Sequence, residues 1–481
     1  MTMLLHPIGR LVAAGLLGAA LYGAVPGVAA QPRAAAPTAP VAPQPDQVGD
    51  PLIRWLLDVI QDSEMLARRE PVPDFVGQIA QVVRAHPQFR SQDETADAAR
   101  RAIDEAWAGY LPTISGSSDG GYRRVGPNVN GSRGFTSNGV GVGVQVRQTV
   151  YDFGATSGVV GAAQLRLEAA QARREALEGD LAARAVVAHL DVLRFRTLLG
   201  FAERNVADRR VIVALMERRE ELGGSGSPEV RRATARLAAA RSAQIAIENR
   251  LRTAEAAYRE VFGRHPETLR LPEDLSVPAS IDSVVAGAID RHPSVREAKA
   301  NAGAARLEAD VARYRALPNV GIEGGVVRRN QIGDDLPGTD ASLLLVFRHN
   351  IYTGGADTAR IAQAAARSRK AEFDQRTAER DLERSVRQVA AEAENGDRTI
   401  DARIQSVLAG IDALRANREQ LEVNRGSFTE LLKVQEELFD AGRELIDSVF
   451  DRTLARYRLA QLTGDLSEMI GSAWGETGGM R

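Results

Sequence analysis

The chain has 481 residues, a net charge of −2, 26% charged residues, 5% aromatics and no cysteine, a length that fits two or three domains. So small a net charge gives no global field for nucleic acid, and without cysteine there is no disulfide, thiolate metal site or cysteine-linked lipid anchor. The rest is rich in Ala and Arg, a composition that suits long helices with a narrow apolar seam better than a thick globular core.

Residues 1–30 read as a secretory signal. Arg10 precedes an apolar run from Leu11 to Val25, and Val28-Ala29-Ala30 supplies small residues for cleavage. The competing reading is a membrane-anchoring helix, against which stand its Gly and Pro content and its shortness. Beyond it no stretch approaches the roughly 20 apolar residues of a spanning helix. The mature chain is therefore expected to leave the cytoplasm without a helical anchor. Residues 31–74 read as a Pro/Ala-rich linker with one short apolar helix around Ile53–Ile60.

A first structural repeat is expected over 75–263. His86-Pro87 opens a helix that ends at Leu111-Pro112. A hairpin follows: Thr113–Arg123, a Gly/Asn/Ser loop over 126–138, and Val140, Val142, Val144 and Val146 alternating with Gly141, Gly143, Gln145 and Arg147. Period two with one apolar face is a half-exposed strand. Tyr151-Asp152-Phe153-Gly154 then leads into an almost unbroken helical pattern from Ala155 to Leu222. Its seam, Leu165, Ala169, Ala172, Ala176, Gly179, Ala183, Val186, Leu190 and Leu193, steps by four and three. Such a helix is on the order of 100 Å long and must pack on neighbours or build a tube. Gly223–Glu229 breaks it, and a returning helix ends at Gly263.

Residues 264–280, punctuated by Pro266, Pro272 and Pro278, form the boundary. The pattern then recurs over 281–464, leaving 465–481 as a short C-terminal tail. Tyr151 to Tyr352, Glu229 to Glu430 and Gly263 to Gly464 are each 201 positions apart. One constant offset across three landmarks reads as an internal duplication. His292-Pro293 and Leu317-Pro318 repeat the earlier helix, and Asn319–Arg329 with Ala341–Ile351 repeat the hairpin.

Each strand alone fits an ordinary surface hairpin. Two matched hairpins of about 11-residue strands, each feeding a very long helix, fit tilted membrane-spanning strands better. Tyr151 and Tyr352 stand where an aromatic membrane-interface belt would sit. Four strands cannot close a barrel, and an open sheet edge in lipid leaves backbone groups unpaired. Several chains must then share one barrel, and three would supply about 12 strands.

Glu229 and Glu430 lie near helix N-termini, where a carboxylate is favoured by the helix dipole, and Ser227 and Ser427 are expected as N-caps. Simple capping and a pore role are both open for these residues. Of chemistry there is little sign: no phosphate-cradling Gly-Lys-Ser/Thr loop, no His-Glu-x-x-His, no Gly-x-Ser-x-Gly. His86, His265 and His292 each precede Pro, and helix-start roles outrank metal binding. No enzyme site, cofactor, metal or nucleic-acid partner is expected.

These features together resemble the TolC-type outer-membrane efflux and secretion channel-tunnel family. The resemblance rests on the His-Pro…Leu-Pro helices, on Gln148–Gly154 and Asn350–Gly355, on Ser227-Pro228-Glu229-Val230 and Ser427–Leu432, and on the closing run to Leu462-Thr463-Gly464. It implies an α+β membrane protein, with a long α-helical tunnel continuous with a shared β-barrel of about 12 strands built by a homotrimer. It also implies a periplasmic adaptor (membrane fusion) protein, an inner-membrane ABC or proton-driven transporter and contact with outer-membrane lipid. The turns at 223–229 and 424–430 would form the periplasmic gate, with Glu229, Glu430, Ser227 and Ser427 at the constriction. Lys433 stands where a second acidic residue can follow, a departure that bears on cation selectivity.

The expected function is a passive exit duct of a tripartite export system. The run Asn350–Ala356 points to type I protein secretion, with multidrug or metal efflux as the alternative. A periplasmic adaptor would show one helical hairpin between β-rich domains. A structural coiled coil would not need the alternating Val strand.

Overall fold

The computed structural model describes residues 50–66, 75–125, 135–223, 226–278, 280–331, 338–423 and 425–478. The expected signal, the linker up to 49 and the centres of both hairpin loops lie outside them.

The chain runs through α1 (Asp50–Leu66), α2 (Phe75–Ala85), α3 (Pro87–Trp107), a 3₁₀ turn (Ala108–Tyr110), β1 (Thr113–Val125), β2 (Phe135–Tyr151), α4 (Ala155–Glu221) and α5 (Ser227–Phe262). It continues with α6 (Ile281–Arg291), α7 (Pro293–Tyr314), β3 (Asn319–Gln331), β4 (Gly338–Arg348), α8 (Ala356–Glu422), α9 (Phe428–Thr463) and α10 (Asp465–Gly478). Helices α4 and α8 have 67 residues each, α5 and α9 have 36 each. The longer pair is therefore roughly 100 Å in length.

Local chemistry explains where these helices start. Pro87 and Pro293 sit at the first helical position, where a missing N–H costs nothing. The Nδ1 atoms of His86 and His292 accept from the N–H of Gln88 (3.2 Å) and Ser294 (3.3 Å). The strand-to-helix turns need left-handed backbone at two successive residues: Phe153 (φ 56°) and Gly154 (φ 96°), and then Gly354 (φ 67°) and Gly355 (φ 85°). Phe153 is the sole non-Gly residue among the described residues with positive φ, and the strain it carries is compensated by Asp152. That carboxylate accepts from the N–H of Gly154 (3.1 Å) and Thr156 (2.8 Å) and from the Thr156 hydroxyl (2.5 Å). Burial pushes the Asp152 carboxyl up, but the bonds from Thr156, Gly154 and Ala155 outweigh it and hold it below its ordinary value. At the other turn the Thr353 hydroxyl accepts from the Asp357 N–H (3.3 Å) and donates to the Asp357 carboxylate (2.9 Å).

α4 is the organising helix, packing against α3, α5, α7 and α9. Ala169, Ala172, Gly179, Val186 and Leu190 of the expected seam are buried, but Leu165, Ala176, Ala183 and Leu193 are only half-buried. Ala163, Leu181, Ala185, Ala188 and Val192, off that seam, are buried too. Several neighbours demand a broader apolar surface than one coiled-coil seam. α4 and α9 run antiparallel, tied by Arg194–Asp447 (2.7 Å) and by the stacked rings of Phe201 and Phe439 (4.8 Å).

α1, longer than the expected 53–60 segment, buries Leu52, Ile53, Leu56 and Ile60 in the main core. Trp55 stacks on Phe201 at 4.9 Å, and Gly442 leaves the notch into which Leu56 and Phe201 fit. Residues 465–478, left as a tail by the sequence reading, form α10, whose Leu466 and Ile470 are fully buried in the same core. The segment 263–278 has no regular element but is held by its backbone: the carbonyls of Pro266, Glu267, Arg270 and Glu273 bond to Arg196, His189 and Tyr457.

The sheet has the order β1-β2-β3-β4, every neighbour antiparallel, so β1 and β4 are bare edges. β2 is longer than expected at 17 residues, with a bulge between Thr149 and Tyr151 in its pairing to β3. β4 ends at Arg348 rather than 351. Ile351 and Tyr352 follow it outside the strand, because the turn into α8 needs its own backbone geometry.

Candidate functional site

Two regions hold the residues singled out above. At the helix-to-helix turns, Glu229 and Glu430 are each the third residue of their helix, α5 and α9. The Glu229 N–H donates to the Gly226 carbonyl (3.0 Å) and that of Glu430 to the Ser427 carbonyl (3.1 Å). The serines do not act as expected. Ser227 is the first residue of α5, inside the helix, because Gly226 takes the N-cap position; its hydroxyl accepts from Arg231 Nη2 (2.8 Å) and Nε (3.1 Å). Ser427 does hold the N-cap position of α9, but its side chain makes no capping bond, and its backbone carbonyl accepts from Glu430 and Leu431 instead. Lys433 lies 4.0 Å from Glu430 and 3.6 Å from Glu437, all exposed. It partly neutralises Glu430, an exposed pair of small energetic weight.

The two turns are joined by residues the sequence reading missed. Arg232 Nη1 donates to Thr429 Oγ1 (3.1 Å), and Arg236 pairs with Glu436 (2.5 Å), both from α5 to α9. The signal was present as an Arg at i and i+4, which puts both guanidiniums on one helix face. Their partners lie too far away in sequence to be read.

The second region is the sheet. Residues directly opposite in the register share a face, and neighbours along a strand alternate. One face therefore carries Ile114, Val140, Val142, Val144, Val146, Ile322, Val326, Leu343, Leu345 and Phe347. Most of these are strongly exposed, as is nearly all of β4. Arg328 ends the apolar patch toward the loops. The other face carries Ser115, Ser117, Asp119, Gln145, Arg147, Glu323, Asp340 and Arg348, with Val327, Leu344 and Val346 among them. An exposed apolar face this extensive marks contact with lipid or protein.

At the helix end of the sheet, Tyr151 is 55% exposed and Tyr352 86%. Tyr151 lies 4.8 Å from the ring of Phe153, and Trp107 5.1 Å from Tyr110, just ahead of β1. Trp107, Tyr110 and Phe153 extend the aromatic set beyond the two expected tyrosines. Their signal was position: each flanks a strand end. Among the described residues no His/Asp/Glu group is placed to hold a metal ion, and no helix is long and apolar enough to cross a membrane.

The profile of the outer membrane efflux protein family matches residues 79–264 and 284–465. The chain is 25% identical over 382 residues to the outer membrane efflux protein BepC of Brucella suis, covering 79% of this chain and 81% of that protein. It is 25% identical over 404 residues to the outer membrane protein TolC of Vibrio cholerae, covering 79% and 88%. Its fold matches the crystal structure of a membrane protein from Pseudomonas aeruginosa with a TM-score of 0.73 at 19% identity, over 82% of this chain and 94% of that one. With a sheet apolar on one face, two pairs of very long helices and a profile match over both halves, this chain belongs to the outer membrane efflux protein family.

Proposed function

We propose that the chain is one protomer of a homotrimeric channel-tunnel, the passive exit duct of a tripartite export system. The observation that carries this reading is the amphipathic four-stranded sheet with both edges bare. In lipid, unpaired edge N–H and C=O groups cost several kcal/mol each, so the sheet must close on copies of itself. Three chains give a barrel of about 12 strands, with the apolar face to lipid and the polar face to the lumen. Tyr151 and Tyr352, with Trp107, Tyr110 and Phe153, form the belt at the inner interface. The equal lengths of the paired helices support descent of the two halves from one duplicated unit. Below the sheet the helices continue as a tunnel, and the turns bearing Glu229 and Glu430, with Ser227, Ser427 and Lys433, form its periplasmic gate. Since the chain has no phosphate-binding loop, the driving energy comes from an inner-membrane transporter coupled through a periplasmic adaptor.

The chain has no cysteine, so edge pairing can be tested directly. Cysteines introduced in a panel of pairs across β1 and β4, such as Ser117→Cys with Ser342→Cys, should give disulfide-linked species up to a trimer in cell envelopes. Cross-linking confined to single chains would remove the shared barrel.

For cargo we favour type I protein secretion, read from the run Asn350–Ala356. The structure gives that run a local role as well, since Thr353, Gly354 and Gly355 build the turn into α8. The name of the Brucella relative favours a second reading, small-molecule efflux. Deleting the gene separates the two. Loss of one large exported protein from the medium supports secretion. Raised drug susceptibility with an unchanged protein profile supports efflux.

A further inference from the structure

We propose that Arg147, Arg348 and Glu323 form a cation-rich collar at the helix end of the sheet, selecting for anions: small inorganic anions and carboxylate-bearing segments of cargo. This rests on the reading that the polar face of the sheet lines a pore.

The strand register makes the cluster. Arg147 on β2 is directly opposite Glu323 on β3, and Glu323 is opposite Leu344 on β4, four residues before Arg348 and on the same face. Glu323 Oε1 accepts from Arg147 Nε at 2.7 Å and also from Arg348 Nη2. A cross-strand staple needs one guanidinium and one carboxylate. The second guanidinium overshoots, leaving one net positive charge per chain. The carboxylate is the covered member, its side chain 25% exposed against 63% for Arg147 and 50% for Arg348. The arginines bond to it through Nε and Nη2 respectively. Both arginine side chains stay at least half exposed, with the planar fork that binds carboxylates and other oxyanions.

The surroundings give the cluster its reach. On β1, β2 and β3 the same face carries mostly small residues around it, Ser115, Ser117, Gly141, Gly143, Gly321 and Gly325, while Gln145 lies beside it on β2 and Leu344 and Val346 on β4. Two guanidiniums rising from such a floor are the bulk that narrows the lumen there. The acidic groups on this face toward the loops are Asp340 on β4, opposite Val327, and Asp119 on β1, opposite Gly141. At about 3.3 Å per residue they lie roughly 13 Å and 20 Å along the strands from the level of Arg147 and Glu323, both beyond the screening length of about 8 Å at physiological salt. The collar is therefore not neutralised from above. Threefold assembly would ring the lumen with it, opposite in sign to the glutamates at the far end of the helices.

The test is the permeability ratio of chloride to potassium, from reversal potentials of the full-length protein in planar bilayers. R147Q/R348Q should shift the ratio toward potassium by on the order of two-fold or more, and Glu323→Gln should shift it toward chloride. Arg348→Cys gives a second route, because the chain has no other cysteine. A positively charged thiosulfonate should restore the parent ratio, and a negatively charged one should drive it further toward potassium. Normal conductance with an unmoved ratio in every variant, or equal block by both reagents, overturns the collar. Parent protein that forms no channels at all instead overturns the reading on which the collar rests. Channels in R348C that respond only by charge sign support the collar even if the double variant fails to assemble.

Discussion

Glu178 shows how a single side chain on the organising helix is set by its surroundings. It is 6% exposed on α4, one position before Gly179 of the expected seam. Burial pushes its carboxyl up to about 7, with Glu175 and Asp93 adding to the rise and Arg174 and Arg84 opposing it. Arg174 is already engaged by Asp93, and Glu175 by Arg296 (2.5 Å). The folded state therefore holds a proton that the unfolded chain releases near its ordinary 4.5. Its contribution is complete below that value and is lost as pH rises through about 7. Between pH 5 and pH 8 the melting temperature of Glu178→Gln should rise relative to that of the parent, and it should exceed the parent at pH 8. Parallel curves for the two proteins, by circular dichroism, would refute the assignment.

At the scale of elements, the contact of α1 with the α4–α9 pair is decided by shape. A Cβ placed on Gly442 would meet Phe201 Cζ at 2.5 Å and Leu56 Cδ2 at 2.7 Å. Gly→Ala in a helix interior gains roughly 0.5–1 kcal/mol from backbone entropy. Overpacking a buried contact costs roughly 1–3 kcal/mol, so the steric term should win. Gly442→Ala is expected to lower stability and loosen α1, read as faster proteolytic cleavage near residue 66 with the remaining chain intact. Stability equal to or above the parent would mean the notch is incidental. The same seam holds a polar residue with no evident return: Gln435 is fully buried, and neither its Nε2 nor its Oε1 has a hydrogen-bond partner among the described residues.

The whole molecule is an outer-membrane channel protein and not an enzyme, and its charges matter through their placement along a conduit. Glu430 is exposed at the start of α9 and shared with Lys433 at 4.0 Å. If it faces the axis of a trimer, Glu430→Gln reduces preference for cations in reconstituted channels, the opposite direction to the loss of Arg147 and Arg348. If conductance and selectivity both stay at parent values, the carboxylate serves only the helix N-terminus. Trp107, Tyr110, Tyr151 and Tyr352 are exposed in a single chain, and the bare strand edges add to that exposure. Both features are what the shared barrel proposed above would cover.

The sequence by itself determined the two very long helices, the strand-bearing hairpins and the turn residues between them. These are short-range properties: period two in Val140–Val146, Pro after His86 and His292, and a Gly where φ must be positive at 154, 354 and 355. It also carried the family, through landmarks spaced by a constant 201 positions. The burial of Glu178 and the packing of α10 were decided only by tertiary structure. So were the Arg232–Thr429 and Arg236–Glu436 bridges and the meeting of Arg147, Glu323 and Arg348. In each case the deciding partner comes from another element, 200 residues away for Arg236 and Glu436 and farther still for α10, which packs on α2. Local propensity and periodicity set what an element is; which of its faces meets which neighbour depends on long-range packing, to which a window of sequence is blind.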